Sequence, residues 1–181
     1  MSTAVATQPA PQKTFDQTGS FDQLFYSLLN FKILSEKNYC TQPHILSMLS
    51  QQLTRNLLNE LPRLHQLERH PCYSRHILGH YKNWVGLACR WEKGAVSSIH
   101  AHPAFTFYTV ADGSFTMEIY QKTKARQIEL KEVKILTQGE HIWEMGVEGR
   151  YDNLIHRVIA NQPGLTLQLF SDDPTLGEVY S

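Results

Sequence analysis

Two histidines set one residue apart, His100 and His102, follow a glycine turn in the stretch Gly94-Ala95-Val96-Ser97-Ser98-Ile99-His100-Ala101-His102. Successive side chains of a strand alternate faces, so residues i and i+2 look the same way. His100 and His102 therefore point together and Ala101 points away. Two imidazoles converging from a rigid strand begin a transition-metal site but do not complete one. His156, in the apolar run Asn153-Leu154-Ile155-His156-Arg157-Val158, is the candidate third ligand.

The elements that must hold these side chains follow from the apolar pattern. The chain has 181 residues, enough for one domain with a sizeable core. Residues 1–20 are rich in Ser, Thr, Gln, Ala and Pro and read as a flexible arm. Residues 21–70 read as a helical segment. Leu24, Phe25, Leu28, Leu29 and Phe31 fall at helical spacing, and Thr41 is a candidate N-cap. An amphipathic helix from Ile45 to Leu58 stops before Pro62. From residue 71 to 175 strand follows strand: 73–78, 84–91, 97–101, 105–110, 115–121, 127–136, 141–145, 154–159 and 165–170, with turn signals at Asp112-Gly113 and Gln138-Gly139. Helices first and many short strands after give an α+β chain, mostly β, with residues 21–181 as one domain. The strand density points to a sandwich or small barrel.

Bulk properties narrow the function. Seventeen basic and seventeen acidic residues give a formal net charge of zero, so nucleic acid and anionic membranes are not the expected partners. No apolar run is long enough to span a bilayer, and the N-terminus lacks the pattern of a secretory signal. Three cysteines, Cys40, Cys72 and Cys89, are too few and too odd for a disulfide framework, which suits a reducing cytoplasm. Cys89 reads as buried core and Cys72 as ordinary. His76, His80 and His141 read as histidines without a metal role, and Trp84, Trp91 and Trp143 as core or rim aromatics.

The spacing Gly94, His100, His102, Gly113 resembles the first cupin motif, with Thr106 at the position usually held by glutamate. Asn153 to His156 resembles the second, with Asn161 one residue later than the usual asparagine. Within cupins, the stretches Tyr73-Ser74-Arg75, Trp91-Glu92-Lys93-Gly94, Ser97-Ser98-Ile99-His100-Ala101-His102, His156-Arg157-Val158 and Leu169-Phe170-Ser171 look most like the cysteine dioxygenase family, over roughly residues 70–175. That resemblance implies a jelly-roll β-barrel behind the helical segment. It implies one Fe(2+) held by His100, His102 and His156, with Arg75 and Tyr73 binding the carboxylate of a small thiol. The reaction implied is addition of both atoms of O2 to cysteine or a related thiol, giving the sulfinate. A monomer is the family-like default.

The match has departures. Phe107 stands where some members have cysteine and others glycine. Phe170 and Gln168 stand where a tyrosine and a histidine are common. With Thr106 in place of a carboxylate, three neutral imidazoles would leave a bound iron near two positive charges, which favours an anionic donor such as a thiolate. The altered positions leave open a cupin that uses iron, zinc or nickel on a different small molecule. A cupin that binds a ligand without catalysis is the remaining alternative.

Overall fold

The computed structural model describes residues 26, 55, 56, 58–123 and 127–180. The expected arm at 1–20, the first helix, the Thr41 cap and the start of the second helix lie outside them. The described helical residues include 58–64, here α1. The helix does not stop before Pro62, as the sequence suggests, but runs through it. Pro62 cannot donate the usual backbone bond. Leu64 and Leu67, 0% and 6% exposed, sink into a core beneath α1 with Leu61 beside them, and this burial outweighs one missing bond.

Ten strands follow: β1 (Tyr73–Tyr81), β2 (Trp84–Trp91), β3 (Ile99–His102), β4 (Phe105–Asp112), β5 (Ser114–Lys122), β6 (Ile128–Thr137), β7 (His141–Met145), β8 (Asn153–Ala160), β9 (Gly164–Phe170) and β10 (Val179–Tyr180). They form two antiparallel five-stranded sheets, in the orders β1-β2-β9-β4-β7 and β10-β3-β8-β5-β6. The chain passes back and forth between the sheets, the plan of a jelly roll, in agreement with the expected fold class. The strand starting at 97 in the sequence begins at Ile99, because Ser97 and Ser98 are spent on hydrogen bonds around Val158 and His100.

Gly113 turns the chain from β4 to β5, and so from one sheet to the other rather than between paired strands. Its φ is +90°, and a Cβ there would lie 2.7 Å from the Pro163 carbonyl oxygen. Only glycine meets both conditions.

The first sheet is covered on both faces, which is why β2, β4 and β9 are buried along nearly their whole length. One face carries Ala88, Phe105, Phe107, Leu165, Leu167 and Leu169 against Leu64 and Leu67. The other faces the barrel interior with Tyr73, Cys89, Trp91, Tyr108 and Val110, meeting Phe115, Met117 and Val158 from the second sheet. Arg90 on β2 ties the helix down. It is 9% exposed, donates to the Leu67 carbonyl at 3.0 Å, and also donates to the His65 carbonyl.

Candidate metal centre

β3 lies antiparallel to β8 with His100 opposite His156. Next along, His102 opposes Asn153, so β8 carries one extra residue between the two pairs. This bulge is where Leu154 takes φ +44°, an uncommon conformation for a branched residue. Asn153 pins one side of it, its Nδ2 donating to the carbonyls of Ala104 and Glu144 at 3.1 Å each. His156, directly across from His100, shares its face and converges with the β3 pair.

The three rings meet with centroids 4.7, 4.8 and 4.9 Å apart. Their potential ligand nitrogens lie within 4.8 Å of one another. Nδ1 of His100 is 2.9 Å from the Ser98 carbonyl, and Nδ1 of His156 is 2.9 Å from the Leu154 carbonyl. A carbonyl only accepts, so each Nδ1 carries the proton and each Nε2 is left with a free lone pair. This is the outer-shell arrangement that orients metal-binding histidines. His102 is 4% exposed, and its Nδ1 is buried with no hydrogen-bond partner; its ring stacks on Phe170 at 4.7 Å.

Burial keeps all three uncharged. It drives His100 down to about 4, with Arg75 pushing the same way and the Ser98 carbonyl opposing. It drives His156 down to about 3, helped by His100. His102 falls well below the ordinary value, through burial first and then the neighbouring His100, His156 and Arg75. Three neutral imidazoles with inward lone pairs and no carboxylate fit a borderline transition metal and not a hard cation such as magnesium.

The cavity beside the triad is lined by Tyr73, Arg75, Cys89, Gln168, Phe170 and Pro174, among others. Arg75 and Tyr73 share one face of β1 and line the same cavity as the histidines. Tyr73 is 4% exposed and stacks on Trp91 at 4.4 Å. Burial raises its pKa, and the Arg75 guanidinium offsets part of that rise. The free space is about 20 Å³, room for about one water. Pro174, in the short 3-10 turn Pro174–Leu176, closes one side. Gly177 lets the segment lie flat on β3, since a Cβ there would fall 1.9 Å from the Ala101 carbonyl oxygen.

Sequence reasoning faced Phe107 toward the site and so turned its neighbour Tyr108 away, and it gave Cys89 and Pro174 no site role. Phe107 is not in the cavity. It packs in the layer between the first sheet and α1, with His141 5.6 Å away, so its bulk takes no space from a ligand. Tyr108, which leaves β4 on the opposite face, is the inward residue. Its ring stands edge-on to His156 at 6.4 Å. Its hydroxyl is buried, and burial raises its pKa far above the ordinary phenol range. Cys89 is core, as expected, but also cavity wall, directly opposite Arg75 on the neighbouring strand. Burial lifts its thiol to about 11, so it is protonated at neutral pH. Pro174 gave no signal in the sequence. Cross-strand register would have found Cys89, since β1 and β2 pair through Tyr73 and Trp91.

No family model and no curated protein matches the chain. Solved structures do, and they are cupin-fold proteins. An RmlC-like cupin from Shewanella frigidimarina shares 19% identity over 57% of this chain and 78% of its own, with a TM-score of 0.42. A cupin superfamily protein from Desulfitobacterium hafniense shares 13% over 62% and 89%, with a TM-score of 0.48. A hydroquinone 1,2-dioxygenase, solved with Cd2+ and 4-hydroxybenzonitrile, shares 17% over 59% and 68%, with a TM-score of 0.46. These are likenesses of fold. Among the described residues no helix is long and apolar enough to cross a membrane.

Proposed function

We propose that the chain is a mononuclear iron thiol dioxygenase, using His100, His102 and His156 to hold Fe(2+) and Arg75 to hold the carboxylate of a small thiol. The overall change is RSH plus O2 to RSO2H, with both oxygen atoms ending on sulfur. The observation that carries this reading is the convergence of three neutral imidazoles and one guanidinium on a single small cavity. Bound iron supplies the redox chemistry that ground-state O2 requires.

The chain's own groups do the rest. Arg75 fixes the carboxylate end with paired, charge-assisted hydrogen bonds. Tyr73, held flat against Trp91, keeps the guanidinium from swinging away. Tyr108 packs its ring edge-on to His156 and helps to hold that imidazole in place. Phe170, Leu87 and Val158 wall the cavity against water, which strengthens every polar contact inside. Pro174 and the turn it begins must shift to admit a ligand, because about 20 Å³ does not hold an amino acid.

That same tightness favours a second reading, a metalloenzyme acting on a smaller molecule than cysteine. One experiment separates the two. Iron is loaded without air, and O2 uptake is followed with cysteine, 3-mercaptopropionate and cysteamine. Uptake with the two carboxylated thiols and little with cysteamine is the expected result. No thiol-dependent uptake by the loaded protein overturns the thiol reading in favour of the second.

A further inference from the structure

Among the described residues β6 is the outer strand of its sheet, so one row of its backbone donors and acceptors has no described strand beside it. Its outward side chains are apolar: Leu130, Val133 and Ile135 are 54%, 53% and 66% exposed. The usual alternation would not put Leu130 and Val133 on one face. It does here because β6 slips by one residue against β5: Ile119 pairs with Glu132, and the next residue, Tyr120, pairs with Leu130, leaving Lys131 as an extra residue. The slip brings Ile128, Leu130, Val133 and Ile135 to the outer face and leaves Glu129, Glu132 and Lys134 on the inner one.

The strand reads Ile128-Glu129-Leu130-Lys131-Glu132-Val133-Lys134-Ile135. Laid antiparallel on itself about a point between Lys131 and Glu132, it matches at every position. Ile128 meets Ile135, Glu129 meets Lys134, Leu130 meets Val133 and Lys131 meets Glu132. Each strand has two residues between Leu130 and Val133, so the extra residue Lys131 of one copy meets Glu132 of the other and leaves no gap. Neighbouring registers fail. Sliding by two residues one way opposes Glu129 to Glu132, and the other way opposes Lys131 to Lys134. Centring on Lys131 or on Glu132 sets that residue against its own copy. Like charges directly opposite destabilise a strand pair, while opposite charges and apolar pairs support it.

We propose that two copies of this chain join edge to edge through β6, antiparallel about a two-fold axis between Lys131 and Glu132. Such an interface is isologous, each residue i meeting j and each j meeting i, and it adds a strand to an open sheet edge. The two five-stranded sheets become one continuous sheet. Charges and a bulge on an edge strand ordinarily prevent pairing. Here they disfavour the registers next to the matched one. Within one chain Lys134 is 3.5 Å from Glu132 and Gln121 donates to Glu129 at 2.6 Å, which holds these charges in the plane a partner strand would meet. The dimer replaces the monomer that the family resemblance implies, and it does not depend on the function of the metal centre.

Sedimentation velocity of the full chain over a concentration series tests this. The expected result is a dimer whose dissociation constant rises at least tenfold in Lys134→Glu and returns to within a few-fold of the wild type in the charge-swapped Glu129→Lys/Lys134→Glu chain. Far-UV circular dichroism of each variant checks that the exposed strand still folds. A wild type that stays monomeric at 100 µM, as an upper limit of roughly that order for specific weak pairs, overturns the proposal. So does a dimer indifferent to Lys134→Glu, or one that the charge swap fails to restore.

Discussion

The Tyr108 ring meets His156 edge-on, centroids 6.4 Å apart, with its hydroxyl buried. Thr166 lies close enough to act on the hydroxyl, and an ordinary hydrogen bond contributes only about 0.5–1.5 kcal/mol. Tyr108→Phe is therefore expected to melt within a few degrees of the wild type, while iron-dependent thiol oxidation slows through the looser seat of His156. A melting point that drops, with activity unchanged, would show the hydroxyl to be an ordinary structural group.

Arg75 faces the same cavity as the histidines. Loss of a paired, charge-assisted contact costs about 1.5–3 kcal/mol, which is roughly 10- to 100-fold in binding. Arg75→Met should raise KM for a carboxylated thiol by that factor and move kcat less. Cysteamine, without a carboxylate, should be insensitive to the change. Equal losses for both substrates would place Arg75 in a packing role.

At Leu154 the backbone is left-handed, φ +44°, and the side chain is 6% exposed. Leu154→Ala keeps the strain and loses the burial, for a cost of about 2–5 kcal/mol. Leu154→Gly loses the same burial but relieves strain of about 1–2 kcal/mol. The glycine variant should be the more stable of the two by about 1 kcal/mol in chemical denaturation, the reverse of the usual order in a strand. Alanine coming out ahead would mean the bulge carries no strain.

Burial depresses the pKa of each triad histidine, to about 4 at His100 and about 3 at His156. Below the ordinary value of 6.5 the unfolded chain takes up protons that the folded metal-free chain refuses. Stability is then complete above about pH 6.5 and is lost as pH falls toward 4 and 3. Thermal melting of metal-free protein should fall through this window, and a His100→Phe/His156→Phe chain should fall less steeply. His76, also lowered by burial, leaves a residual slope in both. Identical slopes would contradict the account.

Most of the fold was legible from short apolar runs between strong turn signals, and every expected strand is present with ends shifted by at most three residues. Pro62 misled because a proline inside a helix is tolerated when the residues after it, Leu64 and Leu67, are deeply buried. The histidine triad was legible in its i, i+2 spacing and in the apolar run around His156. Phe107 was misplaced because distance along the sequence does not say which face of β4 looks inward. The first sheet is covered on both faces, so burial there does not alternate. Tyr108 and Cys89 look like core in the sequence because they are core, and only the cross-strand register brings them to the metal site. The bulges at Leu154 and Lys131 follow from neighbouring strands, which no local pattern records.

The central claim is that His100, His102 and His156 together hold one transition metal ion. Metal analysis of protein loaded without air with Fe(II), then passed through a desalting column, reads it directly. The account predicts close to one ion per chain in the wild type and about a tenth or less in His102→Ala and His156→Ala, since losing one of three ligands opens the site. A wild type that retains no metal, or variants that retain as much as the wild type, would contradict it.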